Sequence, residues 1–394
     1  MLTAPQIIGR LISKFVISNF RTAGVNIELP NGSFISSHNQ PNSETISITD
    51  WSFFLDLLIS YDLGFAESYL QGKWHCKNMP ELFKTLSQKN GDDYSILANF
   101  AIGKLWPKLL QKIKSTNSIK WSRKNIKDHY DLSNDFFKNF LDESMTYSSA
   151  MFTETEETLQ KAQQHKLTHI LTLNNIKSSD HILDIGSGWG SLVTKAVKMF
   201  DCTATGVTLS ENQLDYSLEL VEKLGLKQSI NILPTDYRNI NGKYDHIFSI
   251  EMLEAVGDKG IDSFFLKCSK ILKENGTLQI QVITIPDNRY ETYKNNCDFI
   301  QKYIFPGGIL PSLEKIRTSS FKNGFRLQKT KSIKKDYVQT LWHWRKNLHN
   351  NWNNITSFGF TDRDFRRFDY YFAYCQGAFS SGRIDNYQLT FIKE

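Results

Sequence analysis

Three glycines spaced two residues apart stand where the backbone could come close to a ligand. Gly186, Gly188 and Gly190 follow the apolar run His181–Ile185 and precede Ser191–Phe200, a segment with helical spacing. A second apolar run comes next, so the stretch has the order strand, tight loop, helix, strand of a parallel sheet. Glycine lets a ligand approach the carboxyl end of the first strand, beside a helix N-terminus. A glycine turn in an ordinary strand–helix unit is the alternative.

The loop lacks the dinucleotide-binding pattern. That fingerprint needs a glycine three residues after the second one, where this chain has Ser191. It also needs an acidic residue at the end of the second strand, where the chain has Thr208-Leu209-Ser210. The Gly-x-Gly-x-Gly pattern after Asp184 instead resembles the S-adenosylmethionine loop of class I methyltransferases.

Apolar runs and helical patterns alternate through the rest of the second half of the chain. Further strands are predicted at Ile230–Leu233, Tyr244–Ile250, Thr277–Ile285 and Gln388–Ile392, with helices at Asn212–Leu224 and Ile261–Leu272. This alternation predicts an α/β fold with a doubly wound sheet. The segment Pro286–Lys335 interrupts the alternation and is too long for a simple connection, so we expect it to carry substrate contacts.

The N-terminal part of the chain has a different pattern. Four apolar residues with helical spacing predict a short amphipathic helix: Ile7, Leu11, Phe15 and Ile17. Val25–Ile48 then alternates like strands around a turn at residues 30–32. The apolar helical face of residues 51–59 is expected to lie mostly in a core, with an acyl-chain surface as the alternative, and Gly64 could end that helix.

A basic stretch, Gly91–Asp128, separates the two parts and contains Trp106 and Trp121. It could lie on a lipid headgroup layer, with a charged linker between domains as the alternative. We expect a boundary near residue 115, with residues 1–115 forming a smaller α+β domain and residues 116–394 a larger α/β domain. The net charge of +6 and the 13% aromatic content suit an anionic membrane surface or an acidic ligand, and nothing specific indicates nucleic acid.

Cysteine and histidine usage indicates no metal site. The five cysteines are far apart, and no Cys or Cys/His cluster has metal-ligand spacing, which fits a reducing cytoplasm. His165 and His169 are four residues apart, but a solvated helix face explains them better than zinc. The N-terminal 20 residues are too interrupted for a membrane span and lack signal-peptide features, so we expect a soluble or peripheral protein.

Several motifs taken together resemble the cyclopropane-fatty-acyl-phospholipid synthases, a family that includes mycolic acid cyclopropane synthases and related fatty-acid methyltransferases. The motifs are HYDLSNDFFKNFLDESMTYSSAMF (129–152), LDIGSGWG, TGVTLSENQ, EMLEAVG (251–257), DFIQKYIFPGGILPSL (298–313), DYVQTLWHWR (336–345) and YYFAYCQGAF (370–379). LGFAESYLQGKW (63–74) also resembles the N-terminal domain of the longer, phospholipid-acting members, which is thought to help hold the lipid. The resemblance covers roughly residues 50–394.

The resemblance implies methylenation of the cis double bond of an unsaturated phospholipid acyl chain. S-adenosylmethionine would be the methyl donor, and methyl transfer to the alkene would leave a carbocation. A base must then remove a proton from the new methyl group so that the ring closes. Such a site needs a dry apolar tunnel, aromatic faces that stabilise a cation, and one well-held base.

The base that the resemblance implies is a bound bicarbonate ion. Glu254 and Tyr337 match the family's glutamate and tyrosine, and Ile283 matches a position that contributes a backbone contact. Ser149 and Gln281 stand where bacterial phospholipid synthases have cysteine and histidine. Both replacements can still hydrogen-bond an anion, and both match a branch that includes plant-type synthases.

Cys375 matches the position long regarded as the family's active-site cysteine. A covalent role would require an exposed, activated thiolate. A buried cysteine that lines the tunnel from an apolar aromatic helix is the alternative, and we favour it.

The implied cofactor contacts lie near the methionine end, at the glycine loop, and on the ribose and adenine side. They are Tyr147 and Ser148; Asp184, Gly186, Gly188, Trp189 and Gly190; Thr208 and Gln213; and Asp236, Tyr237 and Arg238. For Tyr237, an aromatic side chain that caps the sheet is an equal alternative.

Three other functions stay open. The same methyl transfer could end in a methyl-branched or methylene product, the acceptor could be a small soluble molecule, or the chain could be a non-catalytic lipid carrier. The expected location is the cytoplasm, in peripheral contact with the inner face of the membrane, and a homodimer is left open.

Overall fold

The structure is a computed structural model that describes residues 2–37, 43–89, 133–154 and 157–394. The basic segment Gly91–Asp128 and the boundary expected near residue 115 lie outside these residues. Within them, no helix combines the length and the apolar character that a membrane crossing requires.

The elements are labelled in chain order. The helices are α1 (Ala4–Thr22), α2 (Ser52–Leu70), α3 (Met79–Lys89), α4 (Asn134–Lys138), α5 (Leu159–Thr172), α6 (Ser191–Phe200), α7 (Glu211–Lys223), α8 (Gly260–Ile271), α9 (Asp287–Tyr293), α10 (Phe299–Tyr303), α11 (Leu313–Lys322), α12 (Lys334–Asn350), α13 (Trp352–Thr356) and α14 (Asp362–Ser380). The strands are β1 (Asn26–Glu28), β2 (Phe34–Ile35), β3 (Thr45–Ile48), β4 (Trp74–Cys76), β5 (His181–Ile185), β6 (Thr203–Val207), β7 (Ile230–Leu233), β8 (Tyr244–Ile250), β9 (Leu272–Thr284), β10 (Phe325–Ser332) and β11 (Asp385–Lys393). Short 3-10 helices lie at Tyr237–Asn239 and Leu253–Val256.

The described residues divide into two compact units. The first joins the residues up to 89 with residues 288–304 and 348–383. The second holds the described residues from 133 to 287 together with residues 305–347 and 384–394. Two segments that we expected in the catalytic domain therefore group with the N-terminal residues.

Helix α1 of the first unit forms where four apolar residues predicted it, but of these four only Ile17 is buried. The buried side includes Gly9, where the backbone of α1 comes very close to its neighbour. A Cβ atom at Gly9 would lie 2.0 Å from the carbonyl oxygen of Trp51. The other three predicted positions are exposed: Ile7, Leu11 and Phe15.

Helix α2 does not end at Gly64, where the sequence indicated a stop. It is kinked at Tyr61, which has φ 48° and ψ −122°, and the helix resumes beyond that residue. Gly64 allows close backbone contact, since a Cβ atom there would lie 2.0 Å from the carbonyl oxygen of Asp56. Of the predicted core face, Phe54 is buried and Ile59 is exposed.

Contacts between distant parts of the chain explain why α14 groups with the N-terminal elements. The hydroxyl group of Tyr69 in α2 donates a 2.6 Å hydrogen bond to Oδ2 of Asp369 in α14. A Cβ atom at Gly377 would lie 2.5 Å from Cβ of Phe83, so α14 passes α3 where only glycine fits. The four-stranded sheet of this unit has the order β2-β1-β3-β4.

The second unit is built on a seven-stranded sheet of order β10-β11-β9-β8-β5-β6-β7. Neighbouring strands from β9 to β7 are parallel, whereas β11 pairs antiparallel with both β9 and β10. Successive residues of β5 belong to different hydrophobic cores. Ile182 lies in the core that contains residues of α6, and Leu183 lies in the core that contains residues of α8, so helices cover both faces of the sheet. The predicted doubly wound α/β fold is confirmed. The strand order reverses at β5, where open α/β sheets bind their ligands.

The interruption of the sheet is shorter than Pro286–Lys335, the segment indicated by the sequence. Helix α11 packs on β10, and β10 itself is the edge strand of the sheet. Only Phe325 of β10 is buried, so this strand lacks the apolar run by which the other strands were recognised. Residues 288–304, which include α10, belong to the first unit.

Candidate active site

The glycines of the loop between β5 and α6 adopt left-handed backbone conformations. Gly186, Gly188 and Gly190 have φ values of 82°, 54° and 87°. The amides of Gly186 and Ser187 both donate to the carbonyl oxygen of Val207, at 3.1 and 2.9 Å, which ties the loop to the end of β6. A Cβ atom at Gly188 would meet no atom within 4 Å, so a ligand can approach the backbone there.

A buried carboxyl group and a buried amine lie close to the loop. Burial raises the pKa of Asp184 to about 7, and the nearby Lys166 opposes this rise. Lys166, on α5, donates a 2.6 Å hydrogen bond to Oγ of Ser148. Burial lowers the pKa of Lys166 to about 8, against the attraction of the carboxylates of Glu251, Asp142 and Asp184. Sequence reasoning missed Lys166 because a lysine on a polar helix is ordinarily exposed.

Two oxygens at this place have no partner and could receive a ligand. Oδ1 of Asp184 and Oγ of Ser187 are buried, and neither has a hydrogen-bond partner in the part of the chain that the structure describes. Buried polar atoms are normally satisfied, so these two suit a ligand that carries hydrogen-bond donors, such as an amino or hydroxyl group. The glycine loop and these oxygens therefore fit S-adenosylmethionine.

Aromatic rings surround Tyr147, which the resemblance assigned to the methionine end. Its ring centroid lies 5.2 Å from that of Trp344 and 5.3 Å from that of Phe137. Trp189 joins the cluster with its ring centroid 5.1 Å from that of Phe137, and its indole N–H donates a 2.8 Å hydrogen bond to Oδ1 of Asn134. Such ring faces can stabilise a cation.

The residues expected on the ribose and adenine side form two local pairs. The hydroxyl group of Thr208 donates a 2.7 Å hydrogen bond to Oε1 of Gln213. The carboxylate of Asp236 accepts three hydrogen bonds of 2.7 to 2.9 Å from the backbone and guanidinium of Arg238, which fixes the turn after β7. Tyr237 packs edge-on against Phe264 of α8, with ring centroids 5.7 Å apart.

Three of the predicted anion-binding residues converge on a carboxylate that the sequence reasoning did not single out, that of Glu251. The backbone amide of Ser149 and the side-chain amide of Gln281 donate to its Oε1, at 3.0 and 2.8 Å. The hydroxyl group of Tyr337 donates to its Oε2 at 2.7 Å, and the amide of Asn386 on β11 adds a 2.7 Å bond to Oε1. We call these four donors and Glu251 the carboxylate cage.

Glu251 has an unusual backbone for its residue type. It directly follows β8, and its φ of 52° lies in the left-handed region, which residues other than glycine rarely adopt. The signal that could have identified Glu251 in the sequence is its place at the carboxyl end of a predicted strand in the motif EMLEAVG. Sequence reasoning chose the other glutamate of that motif.

Glu254 lies beside the cage in a different environment. Its Oε1 accepts a 2.6 Å hydrogen bond from the backbone amide of Ile283. Its Oε2 is buried and has no hydrogen-bond partner among the described residues. Burial, and then the charge of Glu251, raise the pKa of Glu254 to about 8. At pH 7 Glu254 is therefore mostly neutral. The side chain of Glu251, in contrast, accepts the four hydrogen bonds of the cage.

The glycine loop and the carboxylate cage form one site at the carboxyl ends of the parallel strands. A Cβ atom at Gly186 would lie 2.8 Å from Cγ of Met252, the residue after Glu251. Lys166 is attracted by the carboxylates of both Glu251 and Asp184, one from each part. Tyr337 of the cage also packs on Trp344 of the aromatic cluster, with ring centroids 6.1 Å apart.

Cys375 belongs to α14 in the first unit, whereas the other candidates belong to the second. Burial of the thiol, and then the charge of Asp298, raise its pKa. A thiolate is therefore disfavoured, which argues against a role of Cys375 as a nucleophile.

The fold and the glycine-loop site together define an S-adenosylmethionine-dependent methyltransferase. The crystal structure of the mycolic acid cyclopropane synthase CmaA1, complexed with SAH and CTAB, superposes with a TM-score of 0.64 at 31% identity. The match covers 69% of this chain and 98% of that protein.

The sequence assigns the chain to a particular family within this class. The family model described as mycolic acid cyclopropane synthetase matches residues 117–389, and the chain belongs to that family. The tuberculostearic acid methyltransferase UfaA1 of Mycobacterium tuberculosis is 34% identical over 84% of this chain and 79% of its own length. The cyclopropane-fatty-acyl-phospholipid synthase of Escherichia coli is 32% identical over 88% of this chain and 87% of its own.

Proposed function

We propose that this methyltransferase modifies the cis double bond of an unsaturated phospholipid acyl chain and closes a cyclopropane ring on it. Bound S-adenosylmethionine would supply an electrophilic methyl group on a positively charged sulfur. The glycine loop would hold it, with Asp184 and Ser187 offering their free oxygens. Tyr147 and Trp344 would present ring faces to positive charge near the methionine end.

The observation that carries the proposal is the carboxylate cage beside the aromatic cluster. An isolated alkene has no acidic proton, so the reaction needs no base before methyl transfer and one base afterwards. The cage holds a single carboxylate in place with four donors, which suits it to accept one proton at a fixed position. Buried surroundings also keep water from trapping the carbocation as an alcohol.

The base that the resemblance implied is bicarbonate, held by Glu254, Tyr337, Gln281, Ser149 and the backbone of Ile283. The carboxylate of Glu251 is the alternative base, because it already receives hydrogen bonds from three of those residues. Either base would take one proton from the transferred methyl group, so the proposed overall reaction is the same.

The phospholipid substrate is supported by the extent of the similarity and by the first unit. The relative named as a phospholipid synthase matches 88% of this chain, well beyond the family region at residues 117–389. In the first unit, α1 exposes Ile7, Leu11 and Phe15, and the basic Arg10 and Lys14 are exposed beside them. An apolar stripe flanked by cations suits the interface of an anionic bilayer, which we propose as the docking surface of a peripheral protein.

A second product is supported by the relative named as a tuberculostearic acid methyltransferase, which is 34% identical to this chain. In that case a hydride shift would move the positive charge onto the carbon that bears the new methyl group. Loss of a proton from that methyl group would then give a methylene product, and a saturated methyl branch would need a further reductant. A non-catalytic lipid carrier fits less well, because burying Lys166 and the carboxylates that attract it costs stability and would serve no purpose there.

The test is an assay with purified protein, S-adenosylmethionine and vesicles of unsaturated phospholipid, followed by fatty-acid analysis. Mass spectrometry separates a saturated branch from the ring, since the branch carries two more hydrogens, and NMR separates the ring from a methylene group of equal mass. Turnover on a soluble acceptor without vesicles, or cofactor binding without any lipid product, would contradict the proposal.

A further inference from the structure

We propose that the carboxylate of Glu251 replaces bicarbonate in this chain and is itself the proton acceptor of the reaction. The inference rests on the proposed methylation of an alkene. It concerns which group is the base, so it differs from what the family resemblance implies.

The residues predicted to hold bicarbonate do not fit an added anion. The amide of Ser149, the side chain of Gln281 and the hydroxyl group of Tyr337 all point at the two oxygens of Glu251, at 2.7 to 3.0 Å. A bicarbonate ion in the same place would have to displace this carboxylate. Beside it, the ion would meet an existing negative charge without these donors, which is unfavourable in buried surroundings.

The arrangement of the cage favours a base rather than a purely structural carboxylate. Three of the four hydrogen bonds end on Oε1, and one ends on Oε2. Among the described residues Oε2 is therefore the oxygen with more capacity to accept a proton. Tyr337, the donor to Oε2, packs against Trp344, so one residue connects this oxygen to the aromatic cluster.

The two glutamates of the motif EMLEAVG lie in surroundings that suit different roles. Glu254 accepts one backbone hydrogen bond and is mostly neutral at pH 7, so it is poorly suited to accept a proton. Glu251 accepts four hydrogen bonds, and its carboxylate attracts the buried amine of Lys166. The left-handed backbone of Glu251 is unfavourable for a residue with a side chain, so its surroundings must hold it in place.

The proposed step balances without a further reactant. The π pair of the alkene forms a bond to the methyl carbon while the carbon–sulfur bond breaks and its pair stays on sulfur, leaving a cation on the neighbouring alkene carbon. Glu251 then takes one proton from the transferred methyl group. The pair of that C–H bond closes the ring, and Glu251 ends as a neutral acid.

The test uses two variants at one position. Glu251→Gly removes the carboxylate and leaves its four hydrogen-bond donors around the space that the carboxylate occupied. Glycine also suits the backbone φ of 52° at this position. Glu251→Gln is the matched control, because it keeps the size of the side chain but offers neither a base nor room for an anion. Binding of 13C-labelled bicarbonate is followed by NMR, and turnover on unsaturated phospholipid vesicles is measured with and without bicarbonate in carbon dioxide-depleted buffer.

We expect the unaltered protein to bind no bicarbonate and to turn over equally well without it. Both variants should lose about 100-fold or more of turnover, the usual worth of a positioned base. Bicarbonate or formate should restore part of the turnover of Glu251→Gly, but none of that of Glu251→Gln. Retained cofactor binding and an intact thermal transition would show that both variants fold. If Glu251→Gly does not fold, bicarbonate binding by the unaltered protein and the turnover of Glu251→Gln still test the inference.

The inference is overturned if the unaltered protein binds bicarbonate or loses turnover in depleted buffer. It is also overturned if the Glu251→Gln variant keeps its turnover. If the unaltered protein gives no lipid product under any condition, the proposed function fails. In that case the bicarbonate-binding measurement still decides whether Glu251 occupies the place of the anion.

Discussion

The hydroxyl group of Tyr337 donates a 2.7 Å hydrogen bond to Oε2 of Glu251, whereas the other three donors of the cage bind Oε1. Tyr337 is on α12 and Glu251 follows β8, so the contact joins two elements that are 86 residues apart. The tyrosine thereby orients the oxygen that we propose to receive the proton. It also connects the cage to the aromatic cluster through Trp344.

Replacing this tyrosine tests its positioning role. Tyr337→Phe should lower kcat about 10-fold, because one hydrogen bond to a charged group is lost, while cofactor affinity stays unchanged. The matched control is Tyr244→Phe, which loses a 3.3 Å hydrogen bond to the carbonyl oxygen of Asn241 near the start of β8, at the opposite end of the strand. Equal kcat values for the two variants would count against the role of Tyr337.

The raised pKa of Glu254 predicts a pH-dependent stability. Its pKa is about 8 in the folded chain and 4.5 ordinarily, so between these values the folded protein holds a proton that the unfolded chain has released. The contribution of this group to stability is therefore present below pH 4.5 and is lost as the pH rises to 8. The free energy of unfolding falls by roughly 5 kcal/mol at most over this pH range.

Glu254→Gln should remove this dependence. Urea denaturation at pH 5.5, 7 and 8.5 should show the variant gaining stability relative to the unaltered protein as the pH rises. Glu222→Gln, an exposed glutamate on α7, is the control and should follow the unaltered protein. Parallel curves for Glu254→Gln and the unaltered protein would show that Glu254 is ionised at neutral pH.

Lys166 should be important for stability despite lying on a largely polar helix. Lys166→Met removes the positive charge that attracts the carboxylates of Glu251, Asp142 and Asp184, which leaves buried negative charge uncompensated. We expect the free energy of unfolding at pH 7 to fall by about 3 kcal/mol. Lys161→Met, at an exposed position of the same helix, should change it by about 0.5 kcal/mol or less. Similar chemical denaturation curves for the two variants would refute the buried ion network.

Gly188 should be needed for cofactor binding beyond its backbone conformation. Gly188→Ala and Gly225→Ala both place a methyl group at a positive φ, 54° and 69°, and in both cases the new Cβ atom meets no atom within 4 Å. Each should lose about 1 to 2 kcal/mol of stability. Only Gly188→Ala should weaken S-adenosylmethionine binding, by about 10-fold or more in calorimetry, because its methyl group stands where the ligand approaches the loop. Unchanged affinity in Gly188→Ala would show that the cofactor lies elsewhere.

The sequence was sufficient to predict the catalytic fold because strand periodicity and the glycine loop are local signals. Buried parallel strands are apolar runs, and all the predicted runs became strands of the sheet. The edge strand β10 was missed because only Phe325 of it is buried. For α1 the sequence predicted an amphipathic helix but not which side is buried, because it does not reveal that Gly9 brings the backbone against Trp51.

The site was predicted as a set of residues but not as an arrangement. Ser149, Gln281 and Tyr337 do meet, although they come from three different elements. The sequence could not indicate that they meet around Glu251, because hydrogen-bond geometry depends on the folded chain. Lys166 and Asn386 were invisible for the same reason, since their polar side chains only become buried when the sheet and α5 pack together.

The exposed stripe of α1 predicts which residues attach the protein to lipid. Leu11 is the most exposed of these residues, at 76%. Leu11→Ser and Phe15→Ser should each lower the affinity of the protein for anionic vesicles about 10-fold, because each removes apolar surface that would be buried in the bilayer interface. Leu218→Ser, at a residue 45% exposed on α7, is the matched control and should bind as the unaltered protein does. Binding should also weaken with added salt and on zwitterionic vesicles, because Arg10 and Lys14 lie beside the stripe. Vesicle co-sedimentation measures all of these, and equal binding of Leu11→Ser and Leu218→Ser would show that this face of α1 does not contact the membrane.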